Sequence, residues 1–315
     1  MGLIIDAAAY SHIGGRKNNE DNFYMNGVHL EREQMNRGGQ CNTDFSGPTQ
    51  IYAVCDGMGG AMFGEEASLL AVKALKKYQS ECDQPDSSVN IERMLGQISD
   101  GINQISYSRN MPAGASGSTI AMLVMHDWYF RSVHVGDSRI YRLRDGRFER
   151  MTKDHSQVQQ MVDMGEISPE DAFRHPLKNV ITQHLGMPND SAEMVPSISQ
   201  RMELHPGDKY LICSDGLSDV LPDEVIAQLL SANETAISSA GTLVRRALKE
   251  AGELGVSSDN VTVIRLDVLE TAEKGSDVKK LRRFKLMQKL LGVATAVLAV
   301  GVGFIGYDLI QFLMR

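Results

Sequence analysis

The sequence predicts an α+β protein, with antiparallel sheets carrying helices on their outer faces, followed by one membrane-spanning helix near the C-terminus. Three observations lead there: short apolar runs separated by turn residues, helical periodicity between some of those runs, and a charge-free apolar stretch close to the end of the 315 residues. A composition of 42% hydrophobic and 23% charged residues with nine prolines is that of a globular chain able to bury a sizeable core.

Strand-like runs occupy 3–9, 51–55, 119–125, 129–135, 210–213 and 261–268. Between two of them, 65–78 sets Ala67, Leu70, Ala71, Ala74 and Leu75 at the i, i+3, i+4 spacing of one helix face, and 91–105 and 236–251 behave similarly. Asp145-Gly146 suits a two-residue hairpin turn, so 139–143 should pair with the strand that follows it. Successive strands joined by tight turns favour antiparallel sheets with helices outside over a strictly alternating parallel sheet.

Charge is unevenly placed. Lys279, Lys280, Arg282, Arg283, Lys285 and Lys289 form a cluster of +6 without an acid. Residues 290–315 are neutral in sum, so removing the cluster from the whole chain's −8 leaves −14 on residues 1–278. Such a body repels nucleic acid and suits divalent cations. Residues 290–307 run for 18 positions without a charge, roughly 27 Å of helix and close to the hydrocarbon thickness of a bilayer. A buried C-terminal helix is the lesser alternative, because such helices are usually shorter or carry a polar face. The basic cluster before the run places the body on the cytoplasmic side. The organisation expected is a folded domain over 1–268, a polar then basic juxtamembrane linker over 269–289, a single-pass transmembrane helix over 290–310 and a short tail over 311–315. At the other end, Asp6 interrupts the apolar start before a signal-peptide core can form, and stands where a myristoylation signal requires Ser or Thr. Cys41, Cys55, Cys82 and Cys213 make no C-x-x-C pair and no zinc-type spacing, which implies a reducing compartment.

Chemistry gathers where the strands end. The run 51–55 leads into Asp56-Gly57-Met58-Gly59-Gly60 and 210–213 into Ser214-Asp215-Gly216. Asp259-Asn260 immediately precedes 261–268, and Glu20-Asp21 lies upstream between two candidate strands. One acid beside a glycine is usually only a turn. Several acids delivered at strand ends, together with backbone carbonyls, form the hard oxygen set that Mg²⁺ or Mn²⁺ prefers, and the lack of paired His and Cys ligands disfavours zinc.

Six segments in order resemble the PPM-type, or type 2C, family of metal-dependent serine/threonine protein phosphatases over roughly residues 5–268. They are Arg16-Lys17-Asn18-Asn19-Glu20-Asp21-Asn22, Val54-Cys55-Asp56-Gly57-Met58-Gly59-Gly60, Gly117-Ser118-Thr119, Val135-Gly136-Asp137-Ser138-Arg139, Ser214-Asp215-Gly216-Leu217-Ser218-Asp219 and Ser258-Asp259-Asn260-Val261-Thr262. The resemblance implies a four-layer sandwich of two antiparallel β-sheets flanked by α-helices, with a two-metal centre at one end. It implies two ions, Mn²⁺ or Mg²⁺, held by Asp56, the Gly57 carbonyl, Asp215 and Asp259, with Glu20 and Asp21 acting largely through bound waters. A third, looser ion falls to Asp137 and Asp219, and Arg16 grips the substrate phosphate. The implied reaction is hydrolysis of phosphoserine and phosphothreonine on proteins by a water activated at the two-metal centre. The implied partners are phosphoproteins, substrates of a serine/threonine kinase. Residues 153–186 resemble the family's variable flap beside the active site.

One departure matters. Met58 follows Asp56-Gly57 where some members carry a histidine proposed to protonate the leaving group, so His155, His175 or a metal-bound water become the candidates for that acid. A covalent Ser or Cys hydrolase is disfavoured, since 114–118 fails G-x-S-x-G at its last position. A nucleotide-binding loop at 57–62 fails at Met62. A catalytically inactive, phosphatase-like scaffold at the membrane is the stronger alternative, opposed by the complete acid set and Arg16. The sequence carries no signal for an oligomeric state.

Overall fold

Alternation along each strand decides the layering of this chain. The computed structural model describes residues 4–59, 63–188 and 194–269. The first part holds β1 (Ile4–His12), β2 (Asp21–Met25), the short α1 (Arg32–Met35), β3 (Gly39–Ser46) and β4 (Thr49–Met58). Two long helices follow, α2 (Gly64–Glu81) and α3 (Ser88–Ser108). Next come β5 (Gly117–Ser118), β6 (Ile120–His126), β7 (Tyr129–Val135), β8 (Arg139–Arg144) and β9 (Arg147–Arg150), then α4 (Gln157–Asp163) and α5 (Pro169–Arg174). The last part comprises β10 (Ser197–Ile198), β11 (Met202–Glu203), β12 (Lys209–Cys213), α6 (Asp215–Ser218), α7 (Asp223–Ser231), α8 (Ala236–Glu253) and β13 (Val261–Leu269).

One sheet has the order β3-β1-β13-β12-β8-β9 and the other β10-β7-β6-β4-β2, with β11 on β7 and β5 on β4. Every described pairing is antiparallel. Because side chains alternate between the two faces of a strand, Tyr52 and Val54 of β4 meet Tyr210 and Ile212 of β12 and Ile264 and Leu266 of β13 between the sheets. Their neighbours Ile51, Ala53 and Cys55 face α2 and α3 instead, against Ala71, Leu75 and Ile98. On the other outer face, Leu211, Cys213 and Val263 meet Ile226, Leu243 and Val244 of α7 and α8. The result is helix, sheet, sheet, helix, the four-layer α+β sandwich that the sequence reading expects.

Two local features show the chemistry at work. Asp145 and Gly146 both take positive φ, +50° and +76°, between Arg144 and its partner Arg147, the backbone that a type I′ turn demands. On β13 the outward position 265 is an arginine, fully buried under α7 and α8. Its Nη1 donates to the Leu230 carbonyl at 3.1 Å and to the Ser239 hydroxyl at 2.9 Å, while Nε donates to Asp267 at 2.7 Å. A cation is thereby placed at the C-terminal turn of α7, where carbonyls lack helical partners and the helix dipole is negative.

Some expectations shift. The run 119–125 is strand β6 from Ile120 onward, while Thr119 sits between β5 and β6 and donates its N–H to the Asp56 carbonyl at 2.8 Å. β2 and β3 are strands that the apolar pattern does not announce. Among the described residues no helix is long and apolar enough to cross a membrane. The expected linker and span over 269–310 and the tail over 311–315 lie outside the described residues from 270 onward.

Ile264 is fully buried between the sheets. Ile264→Ala is expected to lower stability by about 2–5 kcal/mol, seen as a reduced urea midpoint with an unchanged denaturant slope.

Candidate functional site

Both sheets deliver acids to one end of the sandwich. In the second sheet, antiparallel register sets Asp21, the first residue of β2, opposite Asp56 on β4. In the first, Asp215 opens α6 directly after β12, and Asp259 stands just before β13. Asp21, Asp215, Asp137 and Asp259 all act electrostatically on Asp56, which puts the five at the same end of the sandwich. The N-terminus of α2 closes one side of it. A Cβ on Gly57 would fall 2.0 Å from the Gly64 carbonyl oxygen and one on Gly64 would fall 2.8 Å from the Glu20 carboxyl carbon. Two glycines therefore permit an approach that any side chain would block.

Hydrogen bonds fix the acid-bearing segments. The Asn260 side chain accepts from the Glu20 N–H at 2.8 Å and donates to the Ile13 and Asn18 carbonyls at 2.8 and 3.0 Å, pinning the Arg16-to-Glu20 loop to the start of β13. The Ser214 hydroxyl donates to Asp21 Oδ2 at 2.7 Å and accepts from the Thr262 N–H at 3.0 Å. The Asp56 N–H donates to the Thr119 hydroxyl at 3.1 Å, and that hydroxyl pairs with Ser138 at 2.7 Å. The Gly57 N–H donates to the Glu20 carbonyl at 3.1 Å. Ser214, Asn260, Thr119 and Ser138 lie inside the six sequence segments, but composition alone gives no sign of these supporting roles.

Burial, and after it the crowding of like charge, raises the carboxyl pKa values. Burial pushes Asp56 well above the usual carboxylate range, and Asp21 and Asp215 push it further. Asp215 is raised well above its ordinary value by burial first and then by Asp137 and Asp219. Burial moves Asp21 up to about 7 against the opposing hydrogen bonds from Ser214 and Thr262. Asp137 is also moved up to about 7, by burial and then by Asp154 and Asp219. Glu20 is raised by burial and by Glu65. Oδ1 of Asp21 and Oδ1 of Asp215 are buried without a hydrogen-bond partner among the described residues. A buried carboxylate oxygen without a donor is costly unless a cation serves it, and oxygen-only donors fit Mg²⁺ or Mn²⁺. Among the described residues no group of three or more His, Cys, Asp and Glu side chains is arranged so that it could hold a metal ion as it stands.

The rim of the site carries cations. Arg16 is about half exposed and its Nη2 donates to Asp259 Oδ2 at 2.5 Å, a pairing that raises its own pKa. Asp219 caps α6 and its Oδ2 lies 2.8 Å from Lys178 Nζ, a residue that sequence reasoning does not single out. Asp137, Asp215, Asp219 and Lys178 line a cleft of about 740 Å³ between α4–α5 and α6–α7.

The two histidines considered as leaving-group acids are engaged elsewhere. His155 Nδ1 accepts from the Gly136 N–H at 3.2 Å, Nε2 bonds the Ser197 hydroxyl at 2.9 Å, and the ring stacks on His134 with centroids 4.6 Å apart. His175 caps α5, and its Nδ1 accepts from the Leu177 N–H at 3.2 Å. Burial, reinforced by His134, lowers His155 to about 4, whereas an unfolded chain protonates histidine near 6.5. This contribution to stability is complete above about pH 6.5 and is lost as the pH falls towards 4. His155→Gln is expected to flatten the decline of thermal midpoint over that interval relative to the unsubstituted chain, in paired melts from pH 7.5 to 4.

An antiparallel four-layer sandwich with a carboxylate-lined end defines the class of fold that the resemblance implies. A profile of the protein phosphatase 2C family matches residues 31–252, and the chain belongs to that family. The serine/threonine protein phosphatase PstP of Mycobacterium tuberculosis is 34% identical over 271 residues, 85% of this chain and 46% of PstP. The chain thus spans about half the length of that relative. The serine/threonine phosphatase stp of Listeria monocytogenes is 31% identical over 230 residues, 72% of this chain and 87% of that protein. The solved catalytic domain of PstP in complex with two manganese ions superposes with a TM-score of 0.67 at 32% identity, covering 85% of this chain and all of that one.

Proposed function

We propose that this chain hydrolyses phosphoserine and phosphothreonine on proteins with the help of two divalent ions, Mn²⁺ or Mg²⁺, and that a helix over 290–310 holds it to a membrane with its phosphatase domain, 1–268, in the cytoplasm. The observation that carries the proposal is the meeting of Asp21, Asp56, Asp215 and Asp259 at one end of the sandwich, with unserved buried oxygens on two of them. The two manganese ions in the PstP catalytic domain support the choice of cofactor. Bound ions supply Lewis-acid neutralisation of the phosphate and a water of lowered pKa.

The residues of the chain do the rest. Asp56, the Gly57 carbonyl, Asp215 and Asp259 would hold the ions directly, and Glu20 and Asp21 would act largely through bound waters. Asp137 and Asp219 offer a third, weaker position. Ser214 and Asn260 keep the acids aimed by bonding Asp21 and the Glu20 backbone, the supporting role that outer hydrogen bonds play around metals. Arg16 presents a planar fork matched to two phosphate oxygens. Its exposure and its contact with Asp259 support that role.

With a phosphothreonine peptide and the full chain, phosphate release is expected to require Mn²⁺ or Mg²⁺ and to stop with chelator. Asp56→Asn and Asp259→Asn are each expected to lose about 100-fold or more, since even indirect supporters of a metal cost 10- to 100-fold when removed. No release from the unsubstituted chain would favour the inactive scaffold, and release that ignores the metal would refute the two-ion reading. The tether has a separate test. The full chain is expected to float with phospholipid vesicles and a chain ending at Lys280 to stay at the bottom of the gradient, whereas equal behaviour of the two would refute the span.

A further inference from the structure

The flap is fastened firmly at its root. The His155 N–H donates to the Gly136 carbonyl at 3.0 Å, the Thr182 N–H to the His155 carbonyl at 2.7 Å and the Gln157 N–H to the Val180 carbonyl at 2.9 Å. Beyond the root, apolar burial is sparse. α4 buries Val158 alone, α5 buries no residue, and Met164 and Leu177 stand exposed. What joins the outer flap to the opposite wall is Lys178, whose Nζ lies 2.8 Å from Asp219 Oδ2 and 3.3 Å from the Asp219 carbonyl oxygen. Lys178 lines the same cleft as Asp137 and Asp215, which both sense Asp219 electrostatically.

We propose that Lys178 is a tethered counter-cation: its ammonium serves Asp219 and latches the flap to α6, and a divalent ion at Asp219 and Asp137 displaces it and frees the flap. The inference rests on the reading that this end of the sandwich binds divalent ions. A compact ammonium with three donors can address the carboxylate and the carbonyl of Asp219 together. Both side chains are about one-third exposed or less, at 32% and 26%, so water screens the pair and its hold is modest. An ion of double charge can therefore compete for Asp219 at an accessible concentration. Lys178 acts here as a positioning residue, coupling occupancy of the outer acids to flap closure.

The test titrates the full chain with Mn²⁺ by calorimetry and follows cleavage of the flap at Glu166 and Glu170 by a glutamate-specific protease, which leaves position 178 out of the cleavage chemistry. In Lys178→Met the weakest binding event is expected to tighten about 2- to 5-fold, with the tighter events unchanged. Mn²⁺ should accelerate flap cleavage in the unsubstituted chain, and Lys178→Met should be cleaved fast with or without it. Lys178→Arg should retain the closed behaviour, and Asp219→Asn should abolish the weakest event. If the tight events are present but Lys178→Met matches the unsubstituted chain in weak binding and in cleavage, the latch is overturned while the two-ion reading stands. If the unsubstituted chain binds no Mn²⁺ at all, both fall.

Discussion

Mutual repulsion among carboxylates held in a confined, largely desolvated space is the constraint on which the rest of this molecule depends. Asp21, Asp56 and Asp215 are each driven upward in pKa first by burial and then by surrounding acids. No cation is among the leading influences on any of the three. A flexible scaffold would relieve such a cluster by letting the acids separate. The sandwich does not allow it, because Asp21 and Asp56 are paired in one sheet while Asp215 and Asp259 flank adjacent strands of the other. The apolar core between the sheets, with Tyr52, Tyr210 and Ile264 fully buried, keeps those strands in register. Packing energy is in this way spent on holding an arrangement that electrostatics opposes, which is how a fold prepares a cation site before the cation arrives.

The supporting hydrogen bonds follow the same logic. Ser214 bridges the sheets by donating to Asp21 while accepting from Thr262. Asn260 ties the loop that carries Arg16 and Glu20 to the strand that follows Asp259. Each bond joins chain segments more than 45 residues apart. Substituting either residue would loosen the aim of the acids without removing a carboxylate.

Much of this was legible in the sequence because central strands announce themselves. Runs such as 51–55 and 210–213 are apolar on both faces, since each face meets a core. The acids at their ends were legible for the same reason, as charges that interrupt such runs. β3 was not, because it is an edge strand paired with β1 alone and its Gly39-Gln40-Cys41-Asn42 start shows no apolar alternation. α5 was hidden although its cap was visible: Ser168 accepts from the Asp171 N–H and Pro169 opens the helix, a start signal of known form. It buries no face, so the periodicity that reveals helices was absent. Lys178 was invisible for a different reason. Its partner Asp219 is 41 residues away, and a lone lysine in a polar segment carries no mark of a long-range ion pair.

Positive charge is graded with depth, and the gradient has a functional consequence. At the rim, Arg16 meets Asp259 and Lys178 meets Asp219. Farther in, the Asp21 carboxylate opposite Asp56 accepts from the Ser214 hydroxyl and has its other oxygen left unserved. On the proposed reading, an ion that meets Asp21 and Asp56 relieves repulsion, whereas one that takes Asp259 or Asp219 meets an oxygen already held by Arg16 or Lys178. On the proposed two-ion reading, what an ion must replace thus differs from place to place even where the oxygens it meets are alike.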